Sequence, residues 1–253
     1  MNRMRNYSTI IPRVNDLNKK VTVVIPTLNE GDSIKVIIKE LESLKLAKVI
    51  FADSSTDGSD HIIRNLSEDN PKIHLVRVKR LGLGNGIREG LSEAVSLGSE
   101  LIVTMDADMS HNPQYIPEMV QQSDKFDIVI GSRNVPNSRI IGWGPRRILM
   151  SRVANIISHG ILRISAKDCS SGFRCYNRRV LLKILPLSFE EGYSIQSELL
   201  LLSNRYNFSI TEVPIVFVNR KSGKSKLKFE EVVRFLSFFV RILRKRELRI
   251  TNS

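Results

Sequence analysis

The chain has 253 residues, 42% of them hydrophobic, and its 39 Lys and Arg outnumber 26 Asp and Glu to leave a formal charge of +13. This length and apolar fraction support a packed core, in one large α/β domain or two small ones, and exclude collagen-like, low-complexity and disordered chains. The charge calls for an anionic partner. Nucleic acid is one candidate, but aromatic residues make up only 6% and do not interleave with the basic runs as base-stacking platforms would.

Residues 1–19 are positively charged but lack the apolar stretch of about 7–15 residues and the small-residue cleavage site of a signal peptide, so they read as a flexible arm. Short β-branched runs follow: VTVVIP from 21, KVIFAD from 48, IHLVRV from 73, LIVTMD from 101 and FDIVIG from 126. Segments of helical length and period separate them, at 32–44, 57–66 and 83–97. This alternation predicts βαβ units around a mostly parallel sheet. The strands are near-continuous apolar runs, which predicts helices on both faces.

After residue 135 a link rich in Gly and Pro (Pro136, Gly142, Gly144, Pro145) leads to a basic helix, a loop, a helix near 194–205 and a strand near 210–218. This half completes the same domain, placed at 20–225, and a basic helical tail over 226–253 ends the chain. No run reaches the roughly 18 uninterrupted apolar residues of a spanning helix. The nearest stretches, 148–164 and 229–243, are broken by charge and are interfacial at most. Cys169 and Cys175 build neither a disulfide framework nor a zinc pattern, which fits a reduced, cytosolic compartment.

Polar residues collect just past each strand: Asn29-Glu30-Gly31, Asp53 to Gly58, Asp106-Ala107-Asp108 and Gly131-Ser132-Arg133. In open parallel sheets ligands bind outside the carboxyl ends of the strands, so these four ends converge on one site. Asp106 and Asp108, two residues apart at a strand end, can share one hard divalent cation that bridges a diphosphate, or form a solvated loop or helix cap. Asp53 either caps the next helix, with Ser54 and Asp57, or reads a base or ribose edge. The run Gly82-Leu83-Gly84-Asn85-Gly86 either brings backbone N–H groups to a phosphate or lets a helix pack closely; its spacing matches neither common phosphate-loop pattern. Arg133, Arg174 and the loop Arg220 to Lys226 are either solvated charge or phosphate contacts, and His111 reads as structural.

Nine motifs in order carry a family resemblance: PTLNE at 26–30, ADSSTDGS at 52–59, GLGNG at 82–86, DAD at 106–108, GSR at 131–133, GW at 142, SRVAN at 151, SSGFR at 170–174 and VPIVFVNRKSGKSKL at 213–227. Over nearly all of 20–240 the chain resembles the dolichol-phosphate mannosyltransferase group of the family 2 glycosyltransferases. The resemblance implies a GT-A fold that transfers a sugar, with inversion, from a nucleotide sugar to a polyprenyl monophosphate. It implies GDP-mannose as donor and dolichyl or another polyprenyl phosphate as acceptor, with UDP-glucose as the rival donor. Pro26, Leu28, Glu30, Phe51 and Asp53 would hold the nucleoside. Asp106 and Asp108, with Ala107 backbone and Ser110, would hold Mg²⁺ or Mn²⁺ on the diphosphate. Arg133, Ser171, Arg174, Arg220 and Lys226 would meet donor and acceptor phosphates, with Asp106, Asp108 and Arg133 catalytic.

The chain departs from the family pattern at Ala52, where a second acid is common, at Leu28, where an aromatic residue is common, and at Ser110, where Gln is common. A phosphate monoester is largely a dianion at neutral pH, its second pKa being about 6, so transfer to it needs no general base. The lipid acceptor stays in a bilayer. Residues 226–245 place Phe229, Val232, Val233, Leu236, Val240 and Leu243 on a stripe edged by Lys and Arg, which suits a helix lying on an anionic membrane. Residues 143–165, with Trp143 as anchor, offer a second such helix. The expected location is peripheral, on the cytoplasmic face of a membrane, with anchoring subunits from other chains as a further partner.

Overall fold

The computed structural model describes residues 20–219 and 237–242. The apolar runs form five parallel strands: β1 (Val21–Thr27), β2 (Lys48–Asp53), β3 (Ile73–Arg77), β4 (Leu101–Thr104) and β5 (Ile128–Ser132). Helices α1 (Gly31–Glu42), α2 (Ser59–Asp69), α3 (Leu83–Ser96) and α4 (Ile116–Gln122) connect them in turn. In α1 the stripe Ile34, Ile37, Ile38 and Leu41, at three- and four-residue steps, is buried.

Two strands lie within the basic second half. β6 (Arg139–Ile141) precedes the long helix α5 (Pro145–Leu162), and β7 (Arg174–Asn177) precedes α6 (Arg178–Ile184) and α7 (Ile195–Arg205). The strand expected over 210–218 is two strands, β8 (Ile210–Pro214) and β9 (Val216–Val218). Pro214 has no N–H with which to prolong an edge pairing, and the chain leaves the main sheet there to pair with β6.

The main sheet has the order β3-β2-β1-β4-β7-β5-β8, and only β7 runs antiparallel to its neighbours β4 and β5. Side-chain parity divides the core. Val23, Ile25, Phe51, Val103, Val129 and Cys175 face one layer with α1, α2 and α4. Val24, Ile50, Ile102, Ile130 and Tyr176 face the other with α3, α6 and α7. Helices therefore cover both faces, as the unbroken apolar runs require.

The reversed strand decides where the site lies. Because β7 runs backwards between β4 and β5, its entry loop, Ser170 to Phe173, comes to the same edge as the carboxyl ends of β4 and β5. The Asp106–Asp108 loop, the Gly131–Arg133 turn and the Ser170–Phe173 loop thus meet.

The expected N-terminal arm and most of the expected C-terminal helix lie outside the described residues. Residues 237–242 are helical, with Phe238, Phe239 and Ile242 packed into the second core layer and Val240 exposed. Arg241 in this segment pairs with Glu190, in the loop before α7.

Candidate active site

The carboxylate loop is built on His111. The ring is buried, stacked on Phe173 at 5.1 Å and edge-on to Phe217 at 5.4 Å. Burial lowers its pKa, so it is neutral at neutral pH, and its Nδ1 accepts the backbone N–H of Asp106 at 3.1 Å. With Nδ1 accepting, the ring proton sits on Nε2. His111 is therefore a post for the loop, as its reading as structural anticipates.

The Asp106 side chain is 42% exposed, while Asp108 is half-buried and accepts the Ser110 backbone N–H at 3.1 Å. Met109, between Asp108 and Ser110, has φ of +60°, a costly conformation for a side chain of its size and one that clusters at functional loops. Ser110 itself is buried, so its contribution is a backbone donor behind Asp108 rather than a hydroxyl beside Asp106. Ala107 is buried as well, between the two carboxylates.

Arg133 closes the second wall. Its Nε and Nη2 donate to the two oxygens of Asp168, both at 2.8 Å, its backbone N–H donates to Asp168 at 3.0 Å, and Nη2 also reaches Ser170 at 2.8 Å. The guanidinium lies 5.3 Å from the Trp143 ring and 5.4 Å from the Phe217 ring. Burial pushes the Asp168 carboxyl up, but the charge and hydrogen bonds of Arg133 outweigh it and hold the carboxyl at about 2. Nη1 takes no part in that contact, and Arg133 lines a cleft of about 260 Å³ with Ser138, Arg139, Ile148, Ser151 and Arg152.

The third wall joins the ends of β1 and β2. Asn29 at φ of +54° receives nothing from its own turn: its N–H donates to the Ser55 hydroxyl at 2.7 Å, and its carboxamide accepts from the Thr56 N–H at 2.9 Å. Pro26, Leu28 and Glu30 are half-buried along this rim. Asp53 is fully buried and accepts from the Ser55 hydroxyl, the Ser55 N–H and Arg77. Asp53 does not cap α2, whose N-cap position is Gly58; Asp57, just before it, accepts the Ser59 N–H at 3.0 Å. The pair thus shows a ligand its cation, Arg77, whose side chain is 46% exposed, rather than Asp53.

Several sequence expectations are corrected by burial. Phe51 is fully buried in the first core layer, so its ring cannot stack on a nucleoside. Arg174 shares the parity of Tyr176 and points away from the carboxylate loop; it is fully buried and donates to the carbonyls of Gln196 at 2.7 Å and Cys169 at 2.9 Å. Ser171 is fully buried and donates to the Gly131 carbonyl at 2.7 Å. None of these three reaches a phosphate. Arg220 and Lys226 lie outside the described residues.

The glycine run serves packing. A Cβ on Gly90 would come within 2.5 Å of Val24 Cγ1, and one on Gly84 within 2.3 Å of the Glu190 carbonyl oxygen, so α3 lies directly against β1 and the 190–191 backbone. Ala52, where the family often has an acid, is small for the same reason: a Cβ on Gly90 would stand 3.1 Å from its own. Gly84→Ala is expected to destabilise the fold by about 1–3 kcal/mol, measured by urea denaturation, because the obstacle is backbone.

Among the residues unnoticed in the sequence are Asp168, Arg77, Arg139, Arg152 and Gln196. Asp168 is the one acid between Ala166 and Phe173, in a stretch that also holds Lys167, Ser170 and Ser171, and its composition gives no signal of burial. The others are surface-type residues that only the fold places: Arg77 ends β3, Arg139 lies on β6, Arg152 on α5 and Gln196 on α7.

The fold is shared with solved sugar-transferring enzymes. Mannosyl-3-phosphoglycerate synthase from Rubrobacter xylanophilus superposes with a TM-score of 0.65 at 17% identity, covering 94% of this chain and 77% of that one. Glucosyl-3-phosphoglycerate synthase from Mycobacterium tuberculosis, solved with Mn²⁺, UDP and glucosyl-3-phosphoglycerate, gives 0.63 at 19% identity, covering 90% and 80%. At such identities the likeness establishes the GT-A fold. Residues 22–185 match the family described as Glycosyl transferase family 2, and the chain belongs to that family of glycosyltransferases. Among curated relatives, polyprenol monophosphomannose synthase of Mycolicibacterium smegmatis is 32% identical over 215 residues, 83% of this chain and 81% of that protein. Undecaprenyl-phosphate mannosyltransferase of Micrococcus luteus is 30% identical over 212 residues, 82% and 87%.

Proposed function

We propose that this glycosyltransferase transfers mannose from GDP-mannose to a polyprenyl monophosphate at a membrane surface. One observation carries the reading beyond the names of its relatives. The cleft that Arg133 lines is cationic, with Arg139 and Arg152, and Ile148, Ser151 and Arg152 of α5 form one side of it, on a helix whose outer face is apolar. On α5, Leu149, Met150, Val153 and Ile156 are 63%, 45%, 46% and 70% exposed. A phosphate on an isoprenoid tail needs both features, cations for the head and an apolar ramp for the tail. A free sugar phosphate needs only the first.

Asp106 and Asp108 would hold a divalent cation, Mg²⁺ or Mn²⁺. Two carboxylates on one exposed loop are the oxygen ligands such a hard cation prefers. When bound, it supplies Lewis-acid stabilisation of the departing nucleoside diphosphate. His111 fixes where the loop presents Asp106, and the Ser110 N–H holds Asp108. The acceptor is already a dianion, and no side chain need take a proton from it. Arg133, anchored by Asp168, lines the cleft and offsets repulsion between the two anionic substrates. Arg77, at the other end, is placed for the nucleoside or its phosphate.

No helix among the described residues is long and apolar enough to cross a membrane. In this reading the exposed apolar face of α5 rests on the cytoplasmic face of a membrane, with anchoring subunits from other chains as a further candidate partner. The double change Leu149→Asp, Ile156→Asp is expected to cut sedimentation with phosphatidylglycerol-containing vesicles by roughly tenfold or more, since two apolar contacts are lost. Equal sedimentation of variant and wild type would remove α5 from the membrane. The donor is tested by supplying GDP-mannose and UDP-glucose in turn with Mn²⁺ and polyprenyl phosphate. Mannolipid from the first is expected, and glucolipid alone would reassign the donor.

A further inference from the structure

Helix α5 inverts the usual pattern of a helix that packs on a core. Leu149, Met150, Val153 and Ile156 are exposed, while the described side chains that it fully buries are Asn155 and Ser158, 7% and 1% exposed and both polar. Apolar packing is non-directional, whereas hydrogen bonds weaken steeply as their geometry is lost. A helix seated by buried polar side chains therefore has a defined register.

Asn155 engages every part of its carboxamide in that seat. Its Oδ1 accepts the Cys169 backbone N–H at 2.8 Å, and its Nδ2 donates to the Ser151 carbonyl at 3.0 Å and towards the Ser170 hydroxyl at 3.5 Å. These bonds join two walls of the cleft. Ser151, with Ile148 and Arg152, belongs to the α5 wall. Cys169 and Ser170 directly follow Asp168, whose carboxylate holds Arg133, and the Ser170 hydroxyl accepts from Arg133 Nη2 and donates to Asp168 at 3.1 Å. From the other side β8 grips the same loop, where the Glu212 carboxylate accepts the N–H groups of Lys167 and Asp168 at 2.8 and 3.0 Å. Asn155 ties α5 to the loop that β8 has fixed.

We propose that Asn155 is a positioning residue that holds α5 in register with the Asp168–Ser170 loop, so that Arg133 and the α5 wall meet the acceptor's phosphate together. Buried and fully hydrogen-bonded, it keeps no group for a substrate and acts through Arg133. The inference rests on the acceptor reading above and adds to it the residue that sets the geometry of the cleft.

Arg133 has a built-in reporter, since Trp143 is the only tryptophan of the chain and its ring lies 5.3 Å from the guanidinium. The test uses the full chain as wild type, Asn155→Ala, Arg133→Ala and the double variant, each assayed at a temperature at which a thermal melt shows it folded. Asn155→Ala is expected to lower kcat/KM for polyprenyl phosphate by roughly tenfold, while affinity for GDP with Mn²⁺, or for UDP if UDP-glucose is the donor, changes less than about twofold by calorimetry. Added to Arg133→Ala, the same change should lower kcat/KM by less than about a further twofold, because its effect passes through Arg133. The Trp143 emission of Asn155→Ala should move towards that of Arg133→Ala, and the double variant should match Arg133→Ala. Should Asn155→Ala fail to fold, Asn155→Asp, which keeps an acceptor for the Cys169 N–H, enters the same measurements with an expected loss of about threefold or more. A residue that only supports the fold would lower the melting temperature and leave the folded protein's turnover and emission alone. Unchanged kcat/KM, full multiplication of the two losses in the double variant, nucleoside diphosphate affinity lost in step with turnover, or unaltered Trp143 emission would each overturn the assignment. A wild type that moves no sugar to polyprenyl phosphate from either donor would overturn the acceptor reading instead, and the emission comparison, which needs no substrate, would still decide whether Asn155 sets Arg133.

Discussion

Asp108→Ala is expected to lower sugar transfer by about a thousandfold or more while leaving the protein folded. The loop that carries Asp108 stands on its own supports: His111 holds Asp106, Phe173 and Phe217 hold His111, and Ser110 is buried. Asp108 is outside both core layers, so the stability loss should be about 1 kcal/mol, the order of one hydrogen bond. Its effect on the reaction is larger because the leaving group carries its charge at the transition state, where preorganised stabilisation acts most strongly. Initial rates at saturating Mn²⁺, with a thermal melt of the same sample, give both quantities. Turnover above about a tenth of wild type would remove the carboxylate pair from the chemistry.

Asp168→Ala should do the opposite, harming fold and function together. Asp168 is fully buried and Arg133 nearly so, with side-chain exposures of 0% and 8%. Removing the carboxylate leaves a buried guanidinium uncompensated, an effect of about 3–5 kcal/mol. Arg133 would also lose the hydrogen bonds that hold it in the cleft. Replacing both residues with apolar ones of similar volume should restore much of the stability and none of the activity, since the pair matters to folding mainly when half of it is missing.

The same pair sets a pH dependence. The folded pKa of Asp168, about 2, is below the ordinary 3.8, so its contribution is fully present above 3.8 and is lost as pH falls through about 2. Wild-type stability should therefore decline over that acid range through this group. Asp168→Asn, less stable at neutral pH, should lack that part of the slope, as followed by denaturation at fixed pH values.

Much of the architecture was legible because parallel strands buried on both faces leave unbroken apolar runs, and the first five strands and first three helices carry such periods. β7 was not legible. It is four residues long, contains a buried arginine and an asparagine, and owes its place to pairing with β4 and β5 rather than to its own composition. Missing it meant that Arg174 could be located in the sequence but not oriented, and parity turned it from the site to the core. β6 was obscure for the same reason, being three residues long and held by β9, and the break that makes β9 a separate strand follows from that pairing.

Within the site, the exposed carboxylate loop was readable because two acids at a strand end are hard to explain as packing. The buried pairs were not. Asp53 looked like a ligand contact, and its partner Arg77 lies 24 residues away, across the β2–β3 register. Arg133 looked like a free cation, while Asp168, which fixes it, comes from the loop that β7 folds back. Sequence spacing reveals which residues carry chemistry, but non-local pairing decides which of them remain available to a substrate.

The central claim is tested most directly by incubating the purified full chain with polyprenyl phosphate, Mn²⁺ and GDP-mannose labelled in the sugar, then extracting the mixture into organic solvent. Label should move into the lipid phase as a mannosyl phosphate lipid and should stay aqueous when polyprenyl phosphate is omitted. Label remaining aqueous in the complete mixture, with the protein folded and GDP bound, would contradict transfer of mannose to a lipid phosphate.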